Sequence, residues 1–225
     1  MLPKINQSWL KWFKRYARWY VSRHFHAVRV SRAGGVPVLH GPTVFVVNHP
    51  SWWDPVTLLC VTDLFPERQH FAPMDAAALE KYRFFTKLGM FSARPLNFVR
   101  AGRAILAQPD SVLWVTGQGR FADVRDRSAT VRGGVAALRC DNVIPVAIEY
   151  TFWHERFPEV LVRFGKPGDT LEATQDALAA EAIQQRAELF DTLLPGRVGI
   201  GGVYDFWRRI RHADFKPEHG ALVRT

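Results

Sequence analysis

The uncharged run Thr43-Val44-Phe45-Val46-Val47 limits the architecture more than any other part of this chain. A strand with apolar side chains on both faces belongs inside a sheet that is covered on both sides. Similar runs recur at Ser111 to Thr116, Val143 to Tyr150 and Val160 to Phe164, with a shorter one at His70 to Met74. Helical stretches fall between them, at residues 55 to 64, at Ala76 to Leu88 closed by Gly89, and at Gly102 to Gln108. Short apolar strands alternating with helices predict an α/β fold, a single layered domain with helices around a mixed β-sheet.

The chain has 225 residues, 48% of them hydrophobic, which suffices for one sizeable core. Residues 33 to 170 are expected to form that α/β core. Residues 171 to 225, with a long helix from Leu171 to Leu194, are expected to complete the same domain. Gly199-Ile200-Gly201-Gly202 reads as a turn before an aromatic basic tail containing Tyr204, Phe206 and Trp207. Neither a repeat nor a low-complexity tract interrupts this order. Cys60 and Cys140 form no ligand cluster or closely spaced redox pair, and read as small core residues of a protein in a reducing compartment. No run of some twenty apolar residues and no signal-peptide core is present.

The formal net charge of +9 is concentrated at the front. Lys4, Lys11, Lys14, Arg15, Arg18, Arg23, Arg29 and Arg32 all precede Asp54, the first acidic residue. Trp9, Trp12, Phe13, Tyr16, Trp19 and Tyr20 fall on one face of a helix, with lysines and arginines filling much of the rest. Residues 1 to 32 therefore read as a basic, aromatic, amphipathic segment. Such a segment can bury its rings at a lipid interface while its cations meet anionic headgroups, each contributing about 1 kcal/mol near the surface. Packing on the domain core or dimerisation is the alternative. A nucleic acid is not the expected partner, because nothing from residue 43 onward supplies a zinc finger, a ribonucleoprotein sheet motif or a helix-turn-helix.

The first apolar run ends in Asn48-His49-Pro50-Ser51-Trp52-Trp53-Asp54-Pro55. An imidazole can take a hydroxyl proton near neutral pH when a carboxylate holds its other ring nitrogen. His49 is the candidate base and Asp54 its orienter, in a turn stiffened by Pro50 and Pro55. Gly117-Gln118-Gly119-Arg120 follows another apolar run, and ligands of open α/β sheets bind beyond strand C-termini, so the two loops are expected to meet over one crevice. Consecutive amides there can receive an anion, with Arg120 adding a cationic fork. Arg94, Arg100, Arg103, Arg125, Arg127 and Arg132 are further basic residues, and Asp123 and Asp126 leave structural ion pairs open for Arg125 and Arg127. His70, His154, His212 and His219 lack a third ligand at metal spacing, so no metal is expected. Ser51 has no Gly-x-Ser-x-Gly elbow around it.

Across roughly residues 40 to 170 the sequence resembles the glycerolipid, or lysophospholipid, acyltransferase family. Asn48-His49-x4-Asp54 is similar to the family's first motif, whose histidine activates an acceptor hydroxyl and whose aspartate supports it. Lys87 to Arg94 looks like the family's glycine-to-arginine acceptor-binding block. Leu113-Trp114-Val115-Thr116-Gly117-Gln118-Gly119-Arg120-Phe121 stands where the family has a Phe-Pro-Glu-Gly-Thr-Arg-Ser-like segment. Gly117 replaces its proline, Gln118 replaces its glutamate, and Arg120 falls one residue early. Val143 to Ile148 resembles the family's proline-containing strand on the acyl-donor side.

The resemblance implies an O-acyltransferase that moves a fatty acyl group from an acyl-CoA or acyl carrier protein thioester to a lysophospholipid hydroxyl, such as that of a 1-acylglycerol 3-phosphate. It implies His49 and Asp54 as catalytic residues and Arg94, Gly117, Gln118, Gly119 and Arg120 as substrate-binding ones, with no permanently bound cofactor. Such an enzyme would sit peripherally on the cytoplasmic face of a membrane. A neutral amide at position 118 cannot act as a carboxylate, which leaves a different hydroxyl acceptor open. A non-catalytic, membrane-associated interaction protein is the other alternative.

Overall fold

The structure is a computed structural model and describes residues 3–126, 128–152, 156–193 and 207–210. Helix α1 (Gln7–His24) leads into strands β1 (Ala27–Ser31) and β2 (Thr43–Val47), helix α2 (Asp54–Val61) and strand β3 (Gln69–Met74). Helix α3 (Ala76–Lys81), strand β4 (Met90–Ser92), helix α4 (Pro95–Leu106) and strand β5 (Ser111–Thr116) follow. Strands β6 (Val143–Thr151) and β7 (Glu159–Phe164), helix α5 (Leu171–Leu193) and strand β8 (Trp207–Ile210) complete the described elements.

Among the described residues the strands form one sheet in the order β4-β3-β5-β2-β6-β7-β1-β8. The segment β4-β3-β5-β2-β6 is parallel, β7 is antiparallel to β6 and parallel to β1, and β8 is antiparallel to β1. The chain thus has the mixed-sheet α/β fold that its apolar runs predict. Strand β2 lies centrally and is buried along its whole length. Phe45 and Val47 enter the core with Phe65, Trp114 and Phe164, whereas Val44 and Val46 point the other way, toward Ile105 and Leu113. Fully burying a side chain such as Phe45 contributes roughly 1.5–3 kcal/mol, which is why this run tolerates no charge on either face.

Several boundaries differ from the sequence reading. The predicted helix over 76–88 is α3 followed by a separate 3₁₀ turn at Arg83–Leu88, because Tyr82 leaves helical geometry at φ −118° and ψ 62°. Phe84 and Phe85 thereby reach Phe13 of α1, with ring centroids 6.1 and 6.0 Å away. Helix α4 starts seven residues before the predicted Gly102, at Pro95, where a missing N–H leaves no bond unmade.

Strands β1 and β4 are not anticipated. The former hides an arginine: Arg29 is fully buried and donates through Nη2 to Oε1 of Glu159 on the adjacent β7 at 2.7 Å and through Nε to Oε2. A charge at the middle position of a strand obscures its apolar pattern, and the carboxylate that compensates its burial lies 130 residues away. The turn predicted at Gly199 to Gly202 and the residues Tyr204 and Phe206 lie outside the described residues, while the backbone of Trp207 opens β8.

Helix α1 is docked on one side and open on the other. Asn6 caps it, accepting from Trp9 N–H at 3.0 Å. Ala17 and Val21 are buried, and Lys14 Nζ and Arg18 Nε donate to Asp63 at 3.0 and 2.9 Å. On the other side Trp12, Tyr16 and Trp19 remain 55%, 42% and 50% exposed. Trp12 stacks on Trp9 and Tyr16, and Tyr16 stacks in turn on Tyr20. Among the described residues, no helix is long and apolar enough to cross a membrane.

Candidate active site

The site forms where β2 and β5 end side by side. Their register pairs Val47 with Thr116, so His49 and Gln118 both lie two residues beyond the same rung of the ladder. His49 N–H donates to Gln118 Oε1 at 2.9 Å, and Ala122 N–H donates to His49 C=O at 3.0 Å. The strand on the other flank of β2 holds the same turn: Asn48 Nδ2 donates to Ile148 C=O at 2.9 Å and Ile148 N–H donates to Asn48 Oδ1 at 2.7 Å. The backbone carrying the imidazole is therefore gripped from both neighbouring strands.

Within that turn His49 Nδ1 and Asp54 Oδ2 are 2.6 Å apart. Asp54 is fully buried in the first turn of α2, whose N-terminal partial charge favours a carboxylate. Its Oδ2 also accepts from Ser51 N–H at 3.2 Å, and its Oδ1 accepts from Tyr150 Oη at 2.6 Å. An ionised carboxylate only accepts, so in the neutral imidazole the proton sits on Nδ1 and the lone pair on Nε2. The His49 ring is partly exposed and lies against Phe121, with centroids 4.3 Å apart. A fixed imidazole with a free lone pair and a buried counter-charge can accept a proton from a bound hydroxyl.

Gln118 occupies a different place from the crevice-lining one expected of it. It is 3% exposed, and both ends of its amide are engaged with backbone, Oε1 by His49 N–H and Nε2 by Ala129 C=O at 3.0 Å. It braces the two loops. A glutamine suits this position better than a carboxylate, because one partner is a donor and the other an acceptor.

Gly117 and Gly119 shape the loop. A Cβ at Gly117 would lie 2.6 Å from Val46 Cγ1, and Gly119 has φ +62° with the Arg132 side chain folded across it. Their own N–H groups bond Val47 C=O at 2.9 Å and Thr116 C=O at 3.0 Å. Those of Gln118 and Arg120 have no acceptor among the described residues.

The arginines are less centred than the sequence suggests. Arg120 is exposed and pairs with Asp126 at 3.3 Å; Arg94 is exposed and pairs with Glu80 at 3.2 Å. Arg125 pairs with Asp123 at 2.8 Å, Arg103 donates to Ala137 C=O at 3.0 Å, and Arg127 lies outside the described residues. Arg132 is visible in the sequence only as one more basic residue, because its position over Gly119 depends on the fold of the 117–132 loop and has no local sequence signal.

Other titratable candidates are held inert. Burial pushes the His70 imidazole down to about 4; its Nδ1 accepts from Trp114 Nε1 at 3.1 Å while Nε2 donates to Phe65 C=O at 3.0 Å. Burial raises the Cys60 thiol to about 12, with Asp63 adding to the effect. His154, His212 and His219 lie outside the described residues, and among the described ones no group of three His, Cys, Asp or Glu side chains could hold a metal.

No protein-family model and no curated protein sequence matches this chain. A solved structure does. It is the 1-acyl-sn-glycerophosphate (LPA) acyltransferase PlsC from Thermotoga maritima, to which this chain is similar with 16% sequence identity, coverage of 80% of this chain and 79% of that one, and a TM-score of 0.45.

Proposed function

We propose that this protein transfers an acyl group from a thioester to the hydroxyl of a lysophospholipid at a membrane surface. The observation that carries this reading is the buried Asp54 carboxylate on Nδ1 of His49, at the open end of the central strand and within the motif that resembles glycerolipid acyltransferases. His49 Nε2 takes the proton as the hydroxyl oxygen attacks the thioester carbonyl, and Asp54 stabilises the imidazolium. The tetrahedral oxyanion then collapses, expelling the thiolate, which recovers the proton from His49. The N–H groups of Gln118 and Arg120 are the candidate oxyanion donors, and exclusion of water favours the ester over thioester hydrolysis.

Mixed acyl-CoA and acyl carrier protein thioesters, supplied with a panel of lysolipid alcohols, are expected to release thiol only when acceptor is present and to yield a new ester by mass spectrometry. Thiol release without ester would make the protein a thioesterase, and inactivity of folded protein across the panel would make it a non-catalytic binder. An acceptor without phosphate is the second reading, favoured by the surface pairing of Arg94 with Glu80 and Arg120 with Asp126. Comparing phosphorylated and neutral acceptors at matched chain length separates the two.

The open aromatic face of α1 supports peripheral binding to an anionic bilayer, with the exposed Lys11, Arg15 and Arg23 meeting headgroups. Lys14 and Arg18 face Asp63 instead. Deleting residues 1 to 32 would remove β1 from the sheet, so point changes are the better probe. Replacing Trp12, Tyr16 and Trp19 together with serine is expected to weaken co-sedimentation with anionic vesicles by roughly tenfold or more while sparing turnover of a short-chain soluble acceptor. Unchanged binding would remove this face from the membrane contact.

A further inference from the structure

We infer that Tyr150 is a positioning residue that holds Asp54, and through it His49, in the reactive arrangement; this rests on the acyl-transfer reading of the same site. The carboxylate of Asp54 has two jobs on two oxygens. Oδ2 faces His49 Nδ1 and Ser51 N–H. Oδ1 is turned toward β6, where the Tyr150 hydroxyl donates to it at 2.6 Å. A carboxylate held from one side only can pivot about its last side-chain bond, and the imidazole it orients pivots with it. The tyrosine removes that freedom.

The surroundings of the phenol suit a permanent donor. Thr57 Oγ1 lies 3.0 Å from the Tyr150 hydroxyl and also within 3.2 Å of Asp54 C=O and 3.1 Å of Trp53 C=O, which fixes the hydroxyl at the first turn of α2. Burial, reinforced by the charge of Asp54 and the bond to it, pushes the ionisation of Tyr150 well above the usual phenol range, so the proton stays on the ring oxygen throughout the working pH. The ring packs on Phe25 with centroids 5.6 Å apart. It also lines a cavity of about 430 Å³ with Pro50, Ser51, Trp53 and Phe152.

Strand β6 thus grips both ends of the catalytic turn. The backbone of Ile148 holds the Asn48 amide, and two residues later the side chain of Tyr150 holds Asp54. Tyr150 acts through Asp54 rather than on the reacting atoms, which distinguishes it from His49.

Tyr150→Phe keeps the ring and removes only the donor. It is expected to lower kcat about tenfold, as befits one hydrogen bond to a charged group, and to leave KM for the acceptor unchanged. In an Asp54→Asn background the same change is expected to have little further effect, because the group it acts on is already altered. Independently of turnover, the downfield Nδ1 proton of His49, assigned by its loss in His49→Ala, is expected to shift and broaden in the NMR spectrum of Tyr150→Phe. Replacing Tyr150 with 3-fluorotyrosine, which retains the hydroxyl and strengthens it as a donor, is expected to move the same resonance in the opposite direction without broadening; it serves also if Tyr150→Phe does not fold. An unmoved resonance in folded variants, or fully additive losses in the cycle, would overturn the role of Tyr150. A wild-type chain that acylates nothing would instead remove the acyl-transfer reading, while the resonance would still test the link from Tyr150 to His49.

Discussion

His49→Ala is expected to lower the rate of the chemical step by a factor of roughly one hundred to ten thousand, the range lost with a positioned general base, while the protein stays folded. That factor corresponds to about 3–5 kcal/mol of barrier. The fold should survive because the imidazole is partly exposed and because Asp54, once deprived of it, still accepts from Ser51 N–H and Tyr150 Oη. The buried carboxylate is not stranded. Asp54→Asn should impair the same step by roughly a hundredfold for another reason: an amide that presents its NH₂ to Nδ1 selects the opposite tautomer and puts the proton on Nε2, where the base is needed. Single-turnover measurement with a saturating thioester, beside a circular dichroism melt, checks both. Near-parental rates in both folded variants would remove the pair from the mechanism.

Gln118→Glu is expected to destabilise the protein by about 3 kcal/mol at neutral pH, although the family resemblance places a glutamate at this position. An ionised carboxyl could still accept from His49 N–H, but it would confront Ala129 C=O with a second acceptor in a site that is 3% exposed. Protonation repairs the contact, since a neutral carboxyl donates one bond and accepts the other. The introduced acid therefore titrates above its unfolded value of about 4.3. The sign follows: the variant approaches wild-type stability below that value and loses it as pH rises through the higher folded value. Chemical denaturation at pH 4 and pH 7.5 measures the difference. Equal losses at both pH values would show that Gln118 does not bridge the two loops. Turnover should fall with stability, because the backbone of His49 is one of the bridged partners.

The departure from the family pattern at position 118 takes on a different meaning once its contacts are known. Read along the chain, a neutral amide in a binding loop raises doubt about a phosphorylated acceptor. In the fold the side chain meets only backbone, so its neutrality bears on loop geometry. Arg94 and Arg120 show the reverse. Their motif positions suggest phosphate binding, yet Glu80 and Asp126, fourteen and six residues away, occupy them at the surface.

By itself the sequence determined the α/β class, the strands β2, β3, β5, β6 and β7, the helix α2 that follows the catalytic turn, and the pairing of His49 with Asp54 as a candidate. Each of these is written within a few neighbouring residues. A strand buried on both faces is apolar at most of its positions, and the residues between His49 and Asp54 form a single turn, so short-range rules suffice. Tertiary structure alone decided the rest. Tyr150 lies 96 residues from the carboxylate it holds, Glu159 lies 130 residues from Arg29, and Asp63 draws Lys14 and Arg18 away from the free face of α1 from more than 40 residues off. A polar side chain carries no mark of which distant group will satisfy it. Its partner is fixed by strand order and register, and those follow from how the whole core closes.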